Sequence, residues 1–253
     1  MVDRLQRVVA EIDSLPDEAL DIDDEAGVIT VDYAKVRGWQ EESRRRVRTV
    51  RVSDRIVVKP PWDEHVSREG DVVLEIDPGA VFGSGLHEST RLCLRALEKH
   101  LKPGCTAVDF GAGSGVLAIA AAKLGASRVI AIEADSEAVD VAASNVRAND
   151  VAGVVTVLRA DNPEAAGARS DVVTANVTAA AIAAYSADLA GIIKLGGTLI
   201  VSGITLVQHG DVDTALRQVG LAPMERLAEG EWVCGIYTKE VEDNGRTQDT
   251  GTT

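Results

Sequence analysis

Three alternating glycines, flanked by two carboxylates, have the spacing most suited to chemistry in this chain. Gly111, Gly113 and Gly115 form one short turn, and glycine allows a ligand to approach the backbone because it has no Cβ. Asp109 stands just before this turn, and Glu133 ends the next hydrophobic run. This order predicts a ligand site at the carboxyl ends of two neighbouring parallel strands.

The type of ligand follows from what the turn lacks. A dinucleotide fingerprint requires glycine at its sixth position, where this chain has Val116. The charge of Asp109 would oppose a pyrophosphate and favour a ligand that carries an ammonium and a sulfonium. S-adenosylmethionine is such a ligand, with its methionine part against Gly111 and Gly113 and its ribose hydroxyls on Glu133. The alternative is that the glycines only make a tight turn.

The elements around the turn predict a parallel sheet. Thr106–Phe110 and Arg128–Ile132 are short apolar runs typical of buried strands. An alanine-rich stretch over 116–124 between them predicts a helix. Helical and extended segments continue to alternate, with a helix predicted over 179–193 and a turn at Gly196–Gly197. The last two runs, 223–227 and 232–238, predict a closing antiparallel pair. The sequence therefore predicts a doubly wound α/β fold.

A second glycine loop, Asp77–Thr90, leads into a predicted helix. Free N–H groups at a helix start suit a carboxylate such as that of a methionine moiety, and Thr90 adds a hydroxyl. Gly83 and Gly85 allow the loop to fold tightly, and residues 82–87 are predicted to act as a lid. The alternative is a surface loop in which Ser89 or Thr90 only caps the helix.

Polar residues also follow two later strands. Asp161 and Asn162 come after the run 154–158, where they either hydrogen bond the adenine amino group or serve as ordinary turn residues. Asn176 ends the run 171–175, at the point to which the transferred methyl group would be directed. Phe82 and His87 either line the opening for the acceptor, or Phe82 packs in the core.

Bulk properties exclude several classes of protein. The net charge of −14 argues against a main role in gripping a nucleic-acid backbone. Three scattered cysteines without a signal peptide predict a cytoplasmic protein with reduced thiols, and no apolar run is long enough to span a membrane. The four histidines lack metal-ligand spacing, so we predict no metal.

The chain is predicted to have three parts. Residues 1–62 form a short α+β appendage and linker, because Pro60 and Pro61 end the last extended run before the site. Residues 63–240 form the S-adenosylmethionine-dependent domain. Residues 241–253 are polar and glycine-containing, which predicts a disordered tail.

Three motifs together resemble the PrmA family, the bacterial methyltransferases of the large-subunit ribosomal protein numbered eleven. The motifs stand here, in the order of the family, as Asp77–Thr90, Asp109–Ala120 and Asn176–Ala179. The resemblance implies a seven-stranded class I methyltransferase sheet with Rossmann-like topology. It also implies that Thr90, Gly111, Glu133 and Asn176 contact the cofactor, with Glu133 in place of the aspartate of the family.

The predicted reaction is N-methylation with Asn176 as the catalytic residue. The Asn176 carbonyl would accept an N–H from a neutral amine, so that the lone pair of the amine faces the methyl group. The predicted substrate is a protein, either the ribosomal protein numbered eleven or a similar one. The alternatives are a methyltransferase of another protein or of a small molecule, and a binding module without catalysis.

Overall fold

The computed structural model describes residues 20–23, 28–31, 48–77 and 87–240. Contacts divide the chain between Arg48 and Thr49 into two compact units. In the first unit, β1 (Leu20–Asp23) and β2 (Val28–Val31) form a two-stranded antiparallel sheet, with Leu20 opposite Val31.

The second unit begins with a small three-stranded sheet. It contains β3 (Val50–Arg51), β4 (Ile56–Lys59) and β5 (Val72–Glu75), with β4 in the middle. The sheet joins residues before and after the Pro60–Pro61 pair, since β4 and β5 pair in parallel from Ile56 and Val72 onward. The division between the two units therefore lies before the predicted boundary at residue 62. The prolines end β4, but they do not separate it from β5, with which it pairs.

The main sheet and its helices follow. Its seven strands are β6 (Thr106–Phe110), β7 (Arg128–Glu133), β8 (Val155–Arg159), β9 (Ser170–Asn176), β10 (Ile193–Thr205), β11 (Leu221–Glu229) and β12 (Trp232–Lys239). The α-helices of the described residues are α1 (Glu88–His100), α2 (Val116–Lys123), α3 (Ser136–Ala148), α4 (Ala179–Ala184), α5 (Ser186–Gly191) and α6 (His209–Gln218). A 3₁₀ turn spans Pro163–Ala166.

The strand order is β11-β12-β10-β9-β6-β7-β8. The strands from β10 to β8 run parallel, and β12 is antiparallel to both β10 and β11. This confirms the predicted α/β fold with a seven-stranded, doubly wound sheet and a closing antiparallel pair. The order reverses between β6 and β9, and ligands of such sheets bind at the carboxyl ends near that switch point.

Two apolar cores cover the two faces of the sheet. Residues alternate between the faces along each strand, so Ala107 packs in one core and Val108 in the other. The first core includes Leu97 of α1 and Ile119 of α2. The second includes Leu216 of α6. Burial on both faces explains why these strands are near-continuous apolar runs.

Two predicted elements differ from the structure. Gly196 and Gly197, predicted as a turn, lie inside β10 at a shift in its pairing with β9. A Cβ on Gly197 would lie only 3.0 Å from the Asp171 carbonyl oxygen, so the glycine permits close strand approach. The helix predicted over 179–193 is interrupted at Tyr185, and β10 already begins at Ile193. The predicted tail, 241–253, lies outside the described residues.

Candidate active site

The predicted site residues of three strands meet at one edge of the sheet. Phe110 of β6 pairs with Ile132 of β7 on one side and with Ala175 of β9 on the other. The next residues along these strands are Gly111, Glu133 and Asn176, so parallel pairing brings them to the same level.

The glycine turn has a backbone that other residues rarely adopt. Gly111, Gly113 and Gly115 have φ angles of 72°, 52° and 81°. The N–H groups of Gly111 and Ala112 both donate to the Ile132 carbonyl, at 2.9 and 3.0 Å. A Cβ on Gly111 would lie 2.4 Å from Cγ1 of Val177. The turn therefore requires glycine at position 111, because the Val177 side chain occupies the space that a Cβ would take.

Glu133 ties the end of β7 to this turn. Its Oε2 accepts a hydrogen bond from the Gly113 N–H at 2.9 Å, and its Oε1 accepts from the N–H groups of Ala134 and Asp135. A carboxylate has about four acceptor positions, so these bonds occupy most of its capacity. Contact with two ribose hydroxyls stays a prediction, and it would require Glu133 to share or exchange one of these partners.

Asp109 is buried beneath the turn and hydrogen bonds to protein on both oxygens. Oδ2 accepts from the Ala118 N–H at 3.1 Å, and Oδ1 accepts from the Thr174 hydroxyl at 2.7 Å. The first bond caps α2, whose own N-cap residue is a glycine without a side chain. We therefore interpret Asp109 as a residue that positions the turn, and its direct contact with a cofactor stays a prediction.

Burial raises the pKa of Asp109 to about 6, and the nearby charge of Glu133 acts in the same direction. The hydrogen bonds from Thr174 and Ala118 act against that rise. Keeping the Asp109 carboxylate ionised in this buried position therefore costs free energy.

Asn176 and Thr90 form the point where β9 meets α1. The Asn176 Nδ2 donates to the Thr90 hydroxyl at 3.2 Å, and Thr90 is fully buried. The Asn176 Oδ1 is also buried, yet none of the described residues donates a hydrogen bond to it. A buried acceptor of this kind is costly unless a partner arrives.

His87 and Trp232 lie on the same side of the sheet. The His87 side chain, not Ser89 or Thr90 as predicted, caps α1 by accepting from the Ser89 N–H at 3.3 Å. Thr90 is one turn too far into the helix to cap it. The His87 ring meets the Trp232 indole edge to face, with centroids 4.5 Å apart. Sequence reasoning placed Trp232 in a strand but did not place it against His87, because a contact between residues so distant in the chain leaves no local signal.

The remaining predicted residues are not brought into this group. Asp161 is exposed and follows β8, where its carboxylate accepts from the side chain of Asn162 at 3.3 Å. Asn162 itself caps the 3₁₀ turn, which is an ordinary turn role. Contact of Asp161 with adenine stays a prediction. Phe82, Gly83 and Gly85, and with them the predicted lid, lie outside the described residues.

The described ranges contain neither a metal-binding cluster nor a membrane-spanning helix. In these ranges, no group of three or more His, Cys, Asp or Glu side chains is placed to hold a metal ion. Nor does any of the described helices combine the length and apolarity needed to cross a bilayer.

The strand order, the glycine turn and the polar groups at the switch point define a class I methyltransferase fold. A solved ribosomal protein L11 methylase from Lactobacillus delbrueckii subsp. bulgaricus superposes with a TM-score of 0.68 at 25% identity, covering 77% of this chain and 98% of that one. The Thermus thermophilus 16S rRNA N2 G1207 methyltransferase, solved with AdoMet and guanosine, shares the fold at 23% identity. Its TM-score is 0.55, with 63% of this chain and 45% of that chain covered.

The chain belongs to the PrmA family, described as ribosomal protein L11 methyltransferase, whose sequence pattern matches residues 4–240. A relative of that name from Pelotomaculum thermopropionicum is 46% identical over 208 residues, which cover 82% of this chain and 68% of the relative. Another, from Alkaliphilus oremlandii, is 35% identical, covering 92% of this chain and 74% of the relative. The protein is therefore an S-adenosylmethionine-dependent methyltransferase, as predicted.

Proposed function

We propose that this enzyme methylates nitrogen on ribosomal protein L11, with Asn176 directing the acceptor amine. The observation that carries the proposal is the buried Oδ1 of Asn176, which accepts no hydrogen bond from the described residues. An amine N–H is the partner that such an oxygen needs. The names of the relatives support L11 as the protein that carries this amine.

The residues of the site fit S-adenosylmethionine. The tight turn at Gly111–Gly115, the Glu133 carboxylate at the end of β7 and the buried Asn176 Oδ1 at the end of β9 lie at one edge of the sheet. When bound, the cofactor supplies an electrophilic methyl group on a sulfonium. We assign its methionine part to Gly111, Gly113 and Thr90, and its ribose to Glu133.

The protein contributes position and a neutral amine. A free lysine amine has a pKa of about 10.4 and is almost fully charged at neutral pH. Removal from water lowers that pKa, and the proton leaves to solvent before the amine reacts. Asn176 then holds one N–H, while its own Nδ2 is fixed by Thr90. Such orientation can supply several kcal/mol of the barrier reduction.

His87 and Trp232 form the wall that we assign to the acceptor side, with Phe82 as the predicted addition from the first loop. Their edge-to-face contact places two flat rings near the carboxyl end of β10, where Trp232 pairs with Thr205. Aromatic walls exclude water and accommodate the apolar stem of a lysine. We also assign the protein to the cytoplasm, since its described cysteines are free thiols.

The acceptor can be identified by incubating the enzyme with methyl-labelled S-adenosylmethionine and purified L11. Parallel reactions should contain the L11-depleted protein fraction and the small-molecule fraction of a bacterial lysate. We expect label on amine nitrogen of L11. Label confined to another protein or to the small-molecule fraction would contradict the assigned acceptor, while leaving the methyltransferase chemistry intact.

A further inference from the structure

One face of α3 is built from small residues and two buried amides. Ala142 and Asn145 recur at helical spacing with Asn149, which follows the last turn. Asn145 and Asn149 are only 3% and 5% exposed. Buried amides are costly unless they are hydrogen bonded, so their partners show what this face does.

Asn149 pairs with the backbone of β5. Its Oδ1 accepts from the Glu75 N–H at 2.9 Å, and its Nδ2 donates to the Glu75 carbonyl at 2.6 Å. Among the described strands, β5 has a strand neighbour, β4, on one side only. The amide thus replaces a missing ladder partner on the open side of β5.

Asn145 makes the same pair of bonds to the backbone of Asp77, two residues after Glu75, and also bonds the glycine turn. Its Oδ1 accepts from the Asp77 N–H and its Nδ2 donates to the Asp77 carbonyl, both at 3.1 Å. The Nδ2 also donates to the Ser114 carbonyl at 2.9 Å. Both hydrogens of the Asn145 amide are therefore donated, one to Asp77 and one to Ser114.

These partners belong to the two glycine loops. Ser114 is the fourth residue of the turn Gly111–Gly115, and Asp77 is the residue with which the first loop begins. Ala142 supports the same turn, because a Cβ on Gly115 would lie 3.3 Å from its Cβ. The helix α3 therefore contacts the turn through a methyl group and an amide.

We propose that Asn145 is a positioning residue for cofactor binding, which holds the backbone of Asp77 against the glycine turn Gly111–Gly115. The proposal rests on the assignment of the cofactor to this turn. Asn145 acts through the backbone of Asp77 and Ser114, and it touches neither the reacting atoms nor the catalytic Asn176. One amide bonded to both backbones keeps their separation constant, so the turn is in position before the ligand binds.

Asn145→Asp is the sharpest test because it preserves shape. The new carboxylate still accepts from the Asp77 N–H, but it turns a negative oxygen toward two carbonyl oxygens. We expect the dissociation constant of S-adenosylmethionine, measured by calorimetry, to rise about tenfold or more. We also expect KM for the cofactor to rise more than kcat falls.

Asn149→Asp is the matched control. It makes the same change in a similarly buried amide and loses donors to Glu75 and Asn145, without contact to either glycine loop. We expect it to lower the melting temperature while the cofactor dissociation constant stays within about twofold of wild type. Asn145→Ala, which removes the bonds without adding charge, provides a second folded variant if the aspartate prevents folding.

Equal changes in affinity for Asn145→Asp and Asn149→Asp would overturn the positioning role, as would wild-type affinity in a folded Asn145→Ala. Glu133→Ala separates this outcome from an error in the site itself. If Glu133→Ala weakens cofactor binding and the Asn145 variants do not, the inference about Asn145 fails alone. If Glu133→Ala has no effect either, the assigned cofactor site is wrong.

Discussion

The two ends of β9 hold polar groups in opposite conditions. At the amino end, the Asp171 carboxylate accepts from the Lys194 ammonium, the Thr106 N–H and the Thr106 hydroxyl, each at 2.8 Å. At the carboxyl end, the Asn176 Oδ1 is buried without a donor from the described residues. The polar group at the amino end of β9 is thus hydrogen bonded within the protein, whereas the acceptor at its carboxyl end has no donor among the described residues.

The same contrast separates two aspartates of the sheet. Both Asp109 and Asp171 accept several hydrogen bonds, yet their pKa values move apart. Although partial burial opposes it, the Lys194 ammonium with the Thr106 donors lowers the pKa of Asp171 to about 2, whereas burial raises that of Asp109 to about 6. A cation and water stabilise the first carboxylate, and the second lies beneath the glycine turn near Glu133. Hydrogen bonding alone does not decide the direction of such a shift.

A cavity does not identify the reactive edge. An open cavity of about 380 Å³ lies at the amino end, lined by His100, Lys102, Asp171 and Thr198 among others. Its central charges are already paired with each other. The Asn176 Oδ1, which lacks a donor among the described residues, and the buried carboxylate of Asp109 lie toward the opposite edge, which is where chemistry is expected.

Asn176→Ala should produce the largest effect and test the comparison most directly. We expect kcat/KM to fall on the order of 100-fold, because the acceptor amine loses the group that orients it. Radiolabel transfer from S-adenosylmethionine measures this. Asp171→Asn, on the same strand at the other edge, should keep wild-type kcat/KM, and comparable losses in the two variants would erase the distinction between the edges.

The pH dependence of stability should reveal the free-energy cost of ionising Asp109 in the folded protein. Its pKa is higher in the folded protein than the ordinary value of 3.8, so the unfolded chain binds fewer protons between pH 4 and 6. The contribution of Asp109 to the free energy of unfolding therefore falls as pH rises through that window, by about 3 kcal/mol for a change from 3.8 to about 6.

Urea titrations of wild type and Asp109→Asn from pH 4 to 7 check this. The amide can keep both contacts, with the Ala118 N–H and the Thr174 hydroxyl, but does not titrate. The stability difference between the two proteins should shift in favour of Asp109→Asn as pH rises. A difference that stays constant over this range would contradict a raised pKa.

Gly111→Ala should destabilise the reactive edge in two ways. A left-handed φ and the collision with Val177 together should cost about 2 kcal/mol, and cofactor affinity should fall because the collision displaces the turn to which we assign the cofactor. Gly167→Ala is the matched control, since Gly167 has a φ of 68° and nothing within 4 Å of an added Cβ. Gly167→Ala should show only the cost of the left-handed backbone. Equal melting temperatures for the two variants would therefore exclude a cost from the collision with Val177.

Asp171→Asn should have the smallest effect on stability. Exposed ion pairs contribute less than about 1 kcal/mol, and Lys194 is 44% exposed. Because the pKa of Asp171 is lowered, its contribution is present above pH 3.8 and disappears as pH falls toward 2. Chemical denaturation at pH 7 in low and high salt measures this small loss, and a loss above 2 kcal/mol would show that the amino edge also holds costly groups.

Much of the fold was predictable because its signals are local. The apolar runs of β6, β7 and β9 and the glycines of the turn follow directly from the sequence, and the structure confirms those elements. The interruption at Tyr185 and the strand character of Gly196–Gly197 were not predictable. The strand character of Gly196–Gly197 depends on the pairing of β10 with β9, and Tyr185 packs against Phe110 of β6, so both involve residues distant in the chain.

The site was predictable as a set of residues but not as a set of contacts. The sequence placed Gly111, Glu133 and Asn176 after three strands, and parallel pairing brings them to one edge. It did not show that Asp109 caps α2, that His87 caps α1, or that Trp232 lies against His87. Each of these depends on side-chain directions that only packing determines.

The sequence by itself determined the class of protein. Its glycines specify a turn with left-handed backbone conformations, and its apolar runs specify the buried strands on either side of that turn. The tertiary structure alone decided which polar groups are satisfied. Whether a carboxylate is stabilised, as Asp171 is, or held at a cost, as Asp109 is, depends on neighbours and water that come together only after folding.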